Sequence, residues 1–180
     1  MIDIVVRSAI PADLGSTRDI YAEYVRGSVA TFEEEVPEPA EWRRRYETIR
    51  EHGLPYLVAE LPQAGSDISG IVGYAYCAPW KARPAYRRTA ENSVYLAPSA
   101  TGKGLGRTLL EALVTEAGRA DVRELIAVIT STMDASLRLH RRCGFAEAGT
   151  LTGVGYKHGQ WLDTVLMQRS LAADGSTPGT

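Results

Sequence analysis

Val94-Tyr95-Leu96-Ala97-Pro98-Ser99-Ala100-Thr101-Gly102-Lys103-Gly104-Leu105-Gly106-Arg107 is a short apolar run stopped by a proline, followed by a loop with glycine at every second position. An amphipathic helix begins at about Arg107. The order is strand, glycine loop, helix. A loop with almost no side chains lets its backbone N–H groups approach a ligand closely. The helix start adds unpaired N–H groups and the positive end of the helix dipole. Together these make a site for a diphosphate, with a ligand-free glycine turn as the plain alternative. The loop is not a P-loop, because Gly-x-x-x-x-Gly-Lys-Ser/Thr occurs nowhere in the chain. Nor is it the dinucleotide fingerprint, because its spacing is Gly-x-Gly-x-Gly rather than Gly-x-Gly-x-x-Gly.

Outward from the loop, the pattern alternates between strand and helix. Residues 2–7 read as a first strand. A helix starts at Pro11 and Ala12 and ends near Gly27. Thr31-Phe32 leads into the acidic run Glu33-Glu34-Glu35, expected to be a solvated loop. A second helix spans about Glu41 to His52 and stops at Gly53. Strands follow at 56–60 and 70–78, joined by a hairpin loop at 62–69, with Gly73 expected at a bulge. A polar, aromatic loop covers 79–88, and a strand covers 89–96. After the helix at 107–118 come a strand at 125–129, a short helix at 136–142, a strand region from Phe145 and a last strand at 161–169. There is no internal repeat. The expectation is a mixed central sheet flanked by helices in one α/β domain, residues 1–171, with a disordered tail at 172–180.

Composition sets the outer bounds. The 180 residues are 44% hydrophobic and 23% charged, the balance of an ordinary globular domain. A net charge of -2 without a long basic run points away from nucleic acid and from membrane surfaces. No apolar stretch approaches the length of a spanning helix. The N-terminus lacks the pattern of a signal peptide, so the expected location is the cytoplasm. Cys77 and Cys143 form neither a disulfide framework nor a metal spacing, and no metal is expected.

The glycine loop resembles the coenzyme A pyrophosphate loop of the GNAT superfamily of N-acetyltransferases, which carry Gln/Arg-x-x-Gly-x-Gly/Ala. The first position departs to Thr101 here. The element order is also that of the GNAT fold, over about residues 2–171. A narrower resemblance lies outside the loop. Pro79 to Tyr86, Thr89 to Tyr95, Thr31-Phe32-Glu33, Ser136 to His140 with Cys143-Gly144-Phe145, and Gly155 to Asp163 together resemble the phosphinothricin and methionine sulfoximine N-acetyltransferases. The resemblance implies acetyl-CoA as co-substrate, held by Val94, Tyr95, Leu96, Thr101, Gly102, Lys103, Gly104, Leu105, Gly106, Arg107, Met133 and Ser136. Met133 is a second departure, since many relatives carry Asn there. The acceptor implied is the α-amine of a small amino-acid analogue, and the assembly implied is a homodimer.

Direct acetyl transfer needs a base for the amine, donors for the oxyanion and a proton for the leaving thiolate. Glu91 is the candidate base. At its unperturbed pKa of ~4.3 it is weak for that task, and burial beside Tyr95 and Trp80 would raise it. His140 is the second candidate, four residues after Ser136 on one helical face; an imidazole with pKa near ~6.5 either donates or accepts at neutral pH. A backbone N–H near Leu96 is the oxyanion donor that the resemblance implies. Arg83, with Lys81, is a candidate grip for an anionic head, and Phe32, Trp80 and Tyr86 are candidate substrate contacts. Solvated loop and core packing are the plain alternatives for these five. Tyr156, Lys157, His158 and Trp161 are candidates to close the pocket from the same or a neighbouring subunit. Two other functions stay open: transfer to another amine (a polyamine, an aminoglycoside or a protein N-terminus), and a non-catalytic acetyl-CoA-binding module.

Overall fold

A computed structural model describes residues 4–62 and 70–172. The hairpin loop expected at 62–69 lies almost wholly outside the described residues. So do the tail beyond Ala172 and the first two residues of the expected opening strand.

The chain runs β1 (Val5–Ser8), α1 (Leu14–Gly27), α2 (Pro39–Glu51), β2 (Tyr56–Leu61), β3 (Gly70–Pro79), β4 (Thr89–Leu96), α3 (Leu105–Arg119), β5 (Glu124–Thr130), α4 (Asp134–Arg142), β6 (Ala146–Lys157) and β7 (Gln160–Ser170). The element order is the one the sequence predicts. The seven strands form one sheet in the order β1-β2-β3-β4-β5-β7-β6. All neighbours are antiparallel except β4 and β5.

Side chains alternate across the sheet, so each face has its own core. Ala90, Val94 and Leu96 of β4 face the aliphatic side, where Leu109, Leu110 and Leu113 of α3 are buried. Each such leucine contributes about 1.5–3 kcal/mol of apolar burial. Tyr95 faces the other side, an aromatic layer of Tyr21, Trp42, Tyr46, Tyr56 and Tyr74 under α1 and α2. Tyr74 stacks on Tyr95 with ring centroids 5.3 Å apart.

Three boundaries differ from the sequence expectation. Helix α2 starts at Pro39 rather than Glu41, because proline suits a first turn that needs no N–H. Helix α3 starts at Leu105 rather than Arg107, with Gly104 as its N-cap at φ 82°. The helix therefore begins inside the glycine loop. Strand β6 starts at Ala146 rather than Phe145 and runs to Lys157.

The expected bulge at Gly73 is displaced by one residue. Ala59 pairs with Gly73 and Glu60 with Ile71, which leaves Val72 as the extra residue. Gly73 has a different task. A Cβ there would lie 2.5 Å from Leu96 Cδ2 and 3.0 Å from the Tyr95 carbonyl oxygen.

The central feature is the parting of β4 from β5. They pair only at Thr89, Ala90 and Glu91, opposite Glu124, Leu125 and Ile126. Beyond that, β4 stays with β3 as far as Leu96, and β5 stays with β7 as far as Thr130. The sheet opens as a V.

Gly73→Ala should push Leu96 and the adjoining backbone away and cost about 1–3 kcal/mol, as overpacking does. A denaturant melt measures it; an unchanged midpoint would rule out the close approach as a constraint.

Candidate active site

The backbone of β4 defines the inner wall of the V. Ala97 N–H donates to Val72 O at 2.8 Å, and Trp80 N–H to Thr89 O at 3.3 Å. Backbone groups alternate along an antiparallel strand. Glu91, Ser93 and Tyr95 therefore spend theirs on β3, and Val94 and Leu96 turn theirs into the gap left by β5. The Tyr24 hydroxyl donates to Leu96 O at 2.7 Å. The N–H groups of Val94 and Leu96 face the gap.

A cleft of about 420 Å³ fills the V. Val94, Tyr95 and Leu96 line one wall and Ala127 to Thr130 the other; the glycine loop and α4 close the end. Ten of the twelve residues expected to hold the cofactor line it: Val94, Tyr95, Leu96, Thr101, Gly102, Gly104, Gly106, Arg107, Met133 and Ser136. Lys103 and Leu105 do not. Lys103 Nζ donates to Ser99 O at 2.9 Å, and the Leu105 side chain is buried in the aliphatic core.

At the cleft mouth, Gly102 and Gly104 adopt φ of 74° and 82°, a backbone that side chains disfavour. The N–H groups from Gly102 to Gly106 have no acceptor among the described residues. The last two belong to the first turn of α3, whose dipole adds to them. Thr101 turns its hydroxyl onto Pro98 O at 2.8 Å, closing the loop on itself. Arg107 stands at the rim, paired with Glu111 at 2.7 Å. This set of donors fits a diphosphate. Gly106 serves packing, since a Cβ there would lie 3.4 Å from Leu139 Cδ2 of α4.

Glu91 lies on the aromatic face of β4, opposite Ala78 of β3. Burial pushes its carboxyl above the ordinary carboxylate range, and the Lys81 ammonium opposes the shift. Lys81 itself lies 4.8 Å from the centre of the Trp80 ring. His140 reaches the other face of the same strand. It is 3% exposed, with Nδ1 2.9 Å from Ser136 O and Nε2 2.9 Å from the Asn92 amide nitrogen. Burial holds this imidazole below its usual pKa, against the Ser136 carbonyl. The two candidate proton carriers thus flank β4 from opposite sides. Asn92 is the residue that sequence reading missed. Its place next to Glu91 puts it on the far face, but only the fold brings His140 to it.

The expected substrate residues lie outside the cleft. Phe32 packs its ring over Gly155, leaving no room for a Cβ there. Trp80 and Lys81 follow β3. Arg83 and Tyr86 are exposed in the turn at Pro84–Tyr86. A second groove of about 400 Å³ opens on the Glu91 face, lined by Trp42, Arg44, Arg45, Tyr56, Tyr76 and Pro79 among others. The acidic run is only partly solvated. Glu33 is half-buried and paired with Arg45 at 2.6 Å, while Glu34 and Glu35 are exposed. Lys157 is 1% exposed, and its ammonium donates to Thr31 O at 2.8 Å, fastening the loop that carries Phe32 and Glu33. Tyr156, His158 and Trp161 are exposed.

Both cysteines are free and buried. Burial pushes the Cys77 thiol up to about 12 and raises that of Cys143. Neither is a ready nucleophile at neutral pH. Among the described residues, no three His, Cys, Asp or Glu side chains gather as a metal site.

The model of the acetyltransferase (GNAT) family matches residues 18–145. The chain is 46% identical over 173 residues to a phosphinothricin N-acetyltransferase of Alcaligenes faecalis, covering 96% of this chain and 85% of that one. It is 37% identical over 174 residues to an L-methionine sulfoximine/L-methionine sulfone acetyltransferase of Pseudomonas aeruginosa, covering 96% and 98%. In structure it matches a GNAT superfamily phosphinothricin acetyltransferase of Sinorhizobium meliloti in complex with acetyl-CoA. That match has a TM-score of 0.88 and 40% identity, and covers 99% of this chain and 97% of the other.

The raised Glu91 carboxyl has a stability consequence. Its folded-state pKa lies above the unfolded one, so its contribution is fully present below the unfolded value and is lost as pH rises through the folded value. Glu91→Gln should therefore melt at a higher temperature than the parent at pH 7, with the difference vanishing in acid. Thermal melts at both pH values test this; a lower melting temperature at pH 7 would show that the carboxylate is stabilised where it sits.

Proposed function

Because this chain belongs to the acetyltransferase (GNAT) family, we propose that it carries the acetyl group of acetyl-CoA directly to the α-amine of a small amino-acid analogue of the phosphinothricin or methionine sulfoximine/sulfone type. The observation that carries this reading is a cleft with glycine-loop donors at its mouth, unpaired β4 backbone along its wall and His140 in its lining, with Glu91 on the opposite face of the same strand. Relatives named for these substrates match along nearly the whole chain.

Acetyl-CoA supplies the acetyl group as an activated thioester. The N–H groups from Gly102 to Gly106 hold its diphosphate. Val94 and Leu96 offer N–H groups along the cleft, and one of them steadies the carbonyl oxygen as charge develops there. Glu91 accepts the proton of the acceptor ammonium, for which a raised pKa suits it. Its activity should rise with pH through an ionisation above the ordinary carboxylate range. His140, buried and neutral, stands on the cofactor side; it accepts the second proton of the amine as the C–N bond forms and returns it to the thiolate of coenzyme A as the C–S bond breaks. Lys81 and Arg83 draw in the anionic head of the acceptor. The inert thiols support direct transfer over an acetyl-cysteine route.

Strands β6 and β7 expose Leu151, Val154, Tyr156 and Trp161, the last at 72%. Such a patch supports a homodimer that covers it. The two free cysteines support a cytoplasmic setting, and detoxification of such analogues is the role this activity would serve. No helix among the described residues is long and apolar enough to cross a membrane.

Thiol release from acetyl-CoA, measured with L-phosphinothricin, L-methionine sulfoximine, L-methionine sulfone and spermidine, tests the reading. Release is expected with the first three; release with spermidine alone would overturn it. Glu91→Gln should keep its cofactor-induced rise in melting temperature and lose about 10²–10⁴-fold in turnover, the range for a general base.

A further inference from the structure

The His140 imidazole is held at both nitrogens, and the two partners are not alike. A backbone carbonyl only accepts, so the Nδ1 that sits 2.9 Å from Ser136 O carries the hydrogen. In the neutral ring Nε2 is then bare. The Asn92 amide nitrogen, 2.9 Å away, donates to it. Phe145 packs its ring edge against the imidazole, with centroids 5.0 Å apart. Asn92 is 5% exposed, and its Oδ1 is buried without a partner among the described residues. It is also the first residue of β4 past the last pair with β5, so the couple sits at the apex of the V.

We propose that Asn92 is a positioning residue that sets the proton on His140: its amide N–H holds Nε2 while the ring is neutral, and the amide turns over to present Oδ1 when Nε2 takes a proton. A protonated ring has two donors, and a donor amide facing it would be repelled. Turning the amide replaces that clash with a hydrogen bond and gives the orphaned Oδ1 its partner. One side chain thus serves both protonation states without moving the strand. Of the charged groups around the couple, Arg141 of α4 is paired with Glu147, Arg107 of α3 is paired with Glu111, and Glu91 lies across β4. Arg138 and Arg142 of α4 line the same cleft, and Cys143 follows that helix. Burial displaces the His140 titration downward, against the Ser136 carbonyl.

The pairing stands on geometry alone; its consequence for acetyl transfer rests on the function proposed above. The test is nitrogen-15 NMR of the three histidine rings in the full chain, with His140 assigned by way of His52→Gln and His158→Gln. The parent should show the neutral Nδ1–H tautomer at His140. A neutral Nε2–H ring would overturn the proposal without any variant. Asn92→Asp supplies a fixed, charged acceptor and should raise the His140 midpoint by about one pH unit or more, the usual effect of an adjacent carboxylate. Asn92→Leu removes both partners and should lower it. Unchanged midpoints in folded variants, checked by circular dichroism, would overturn the proposal. In parallel, the pH profile of kcat should move with the NMR midpoint in Asn92→Asp. If the midpoint moves and kcat does not, Asn92 keeps its role and His140 loses its place in the transfer reaction.

Discussion

The structure depends on a ladder that stops early. Strands β4 and β5 share three residue pairs and then separate, each kept by its outer neighbour. A central strand rarely leaves one edge unpaired, because buried backbone groups without partners are unfavourable. Here the unpaired edge is the wall of the cleft, and its N–H groups stand open to a ligand. Gly73 lets Leu96 lie flat against β3, and the Tyr24 hydroxyl fixes the Leu96 carbonyl. Both contacts hold the wall in place before any ligand arrives.

The same strand divides the chemistry. Alternation sends Glu91 to one face and Asn92, with His140, to the other. Burial then acts on the two acids in opposite directions, raising the carboxyl and lowering the imidazolium. Desolvation disfavours whichever form is charged, so one cause brings both groups towards neutrality. The carboxyl becomes more basic on one face of β4, and the imidazole becomes harder to charge on the other.

The Phe32 loop is held by charge where the cleft wall is held by backbone. Lys157 reaches the Thr31 carbonyl, and Arg45 joins Glu33 to Glu41 of α2. Burying the Lys157 ammonium is unfavourable, which its lowered pKa reflects, and its bond to the Thr31 carbonyl offsets part of that. These ties set the Phe32 loop against β6, where Gly155 leaves room for the aromatic ring. The loops that carry Trp80, Lys81, Arg83 and Tyr86 lie at the same end of the sheet as Glu91, outside the cleft between β4 and β5.

What the sequence determined by itself is local. Apolar alternation, proline stops and glycine breaks placed every helix and strand in order, and the glycine loop stood out as a row of backbone donors. Glu91 and His140 stood out through their neighbours in the chain. What only the tertiary structure decided is how distant segments meet. The helix begins at Leu105 because Gly104 turns left-handed beneath it. The bulge falls on Val72 because Gly73 must admit Leu96. Glu33 is no solvated acid because α2 brings Arg45 to it. Asn92 and His140 lie 48 residues apart, and neither spacing nor composition links them. A hydrogen bond between residues so far apart leaves no periodic trace in the chain; it exists only because β4 and α4 pack on the same side of an opened sheet.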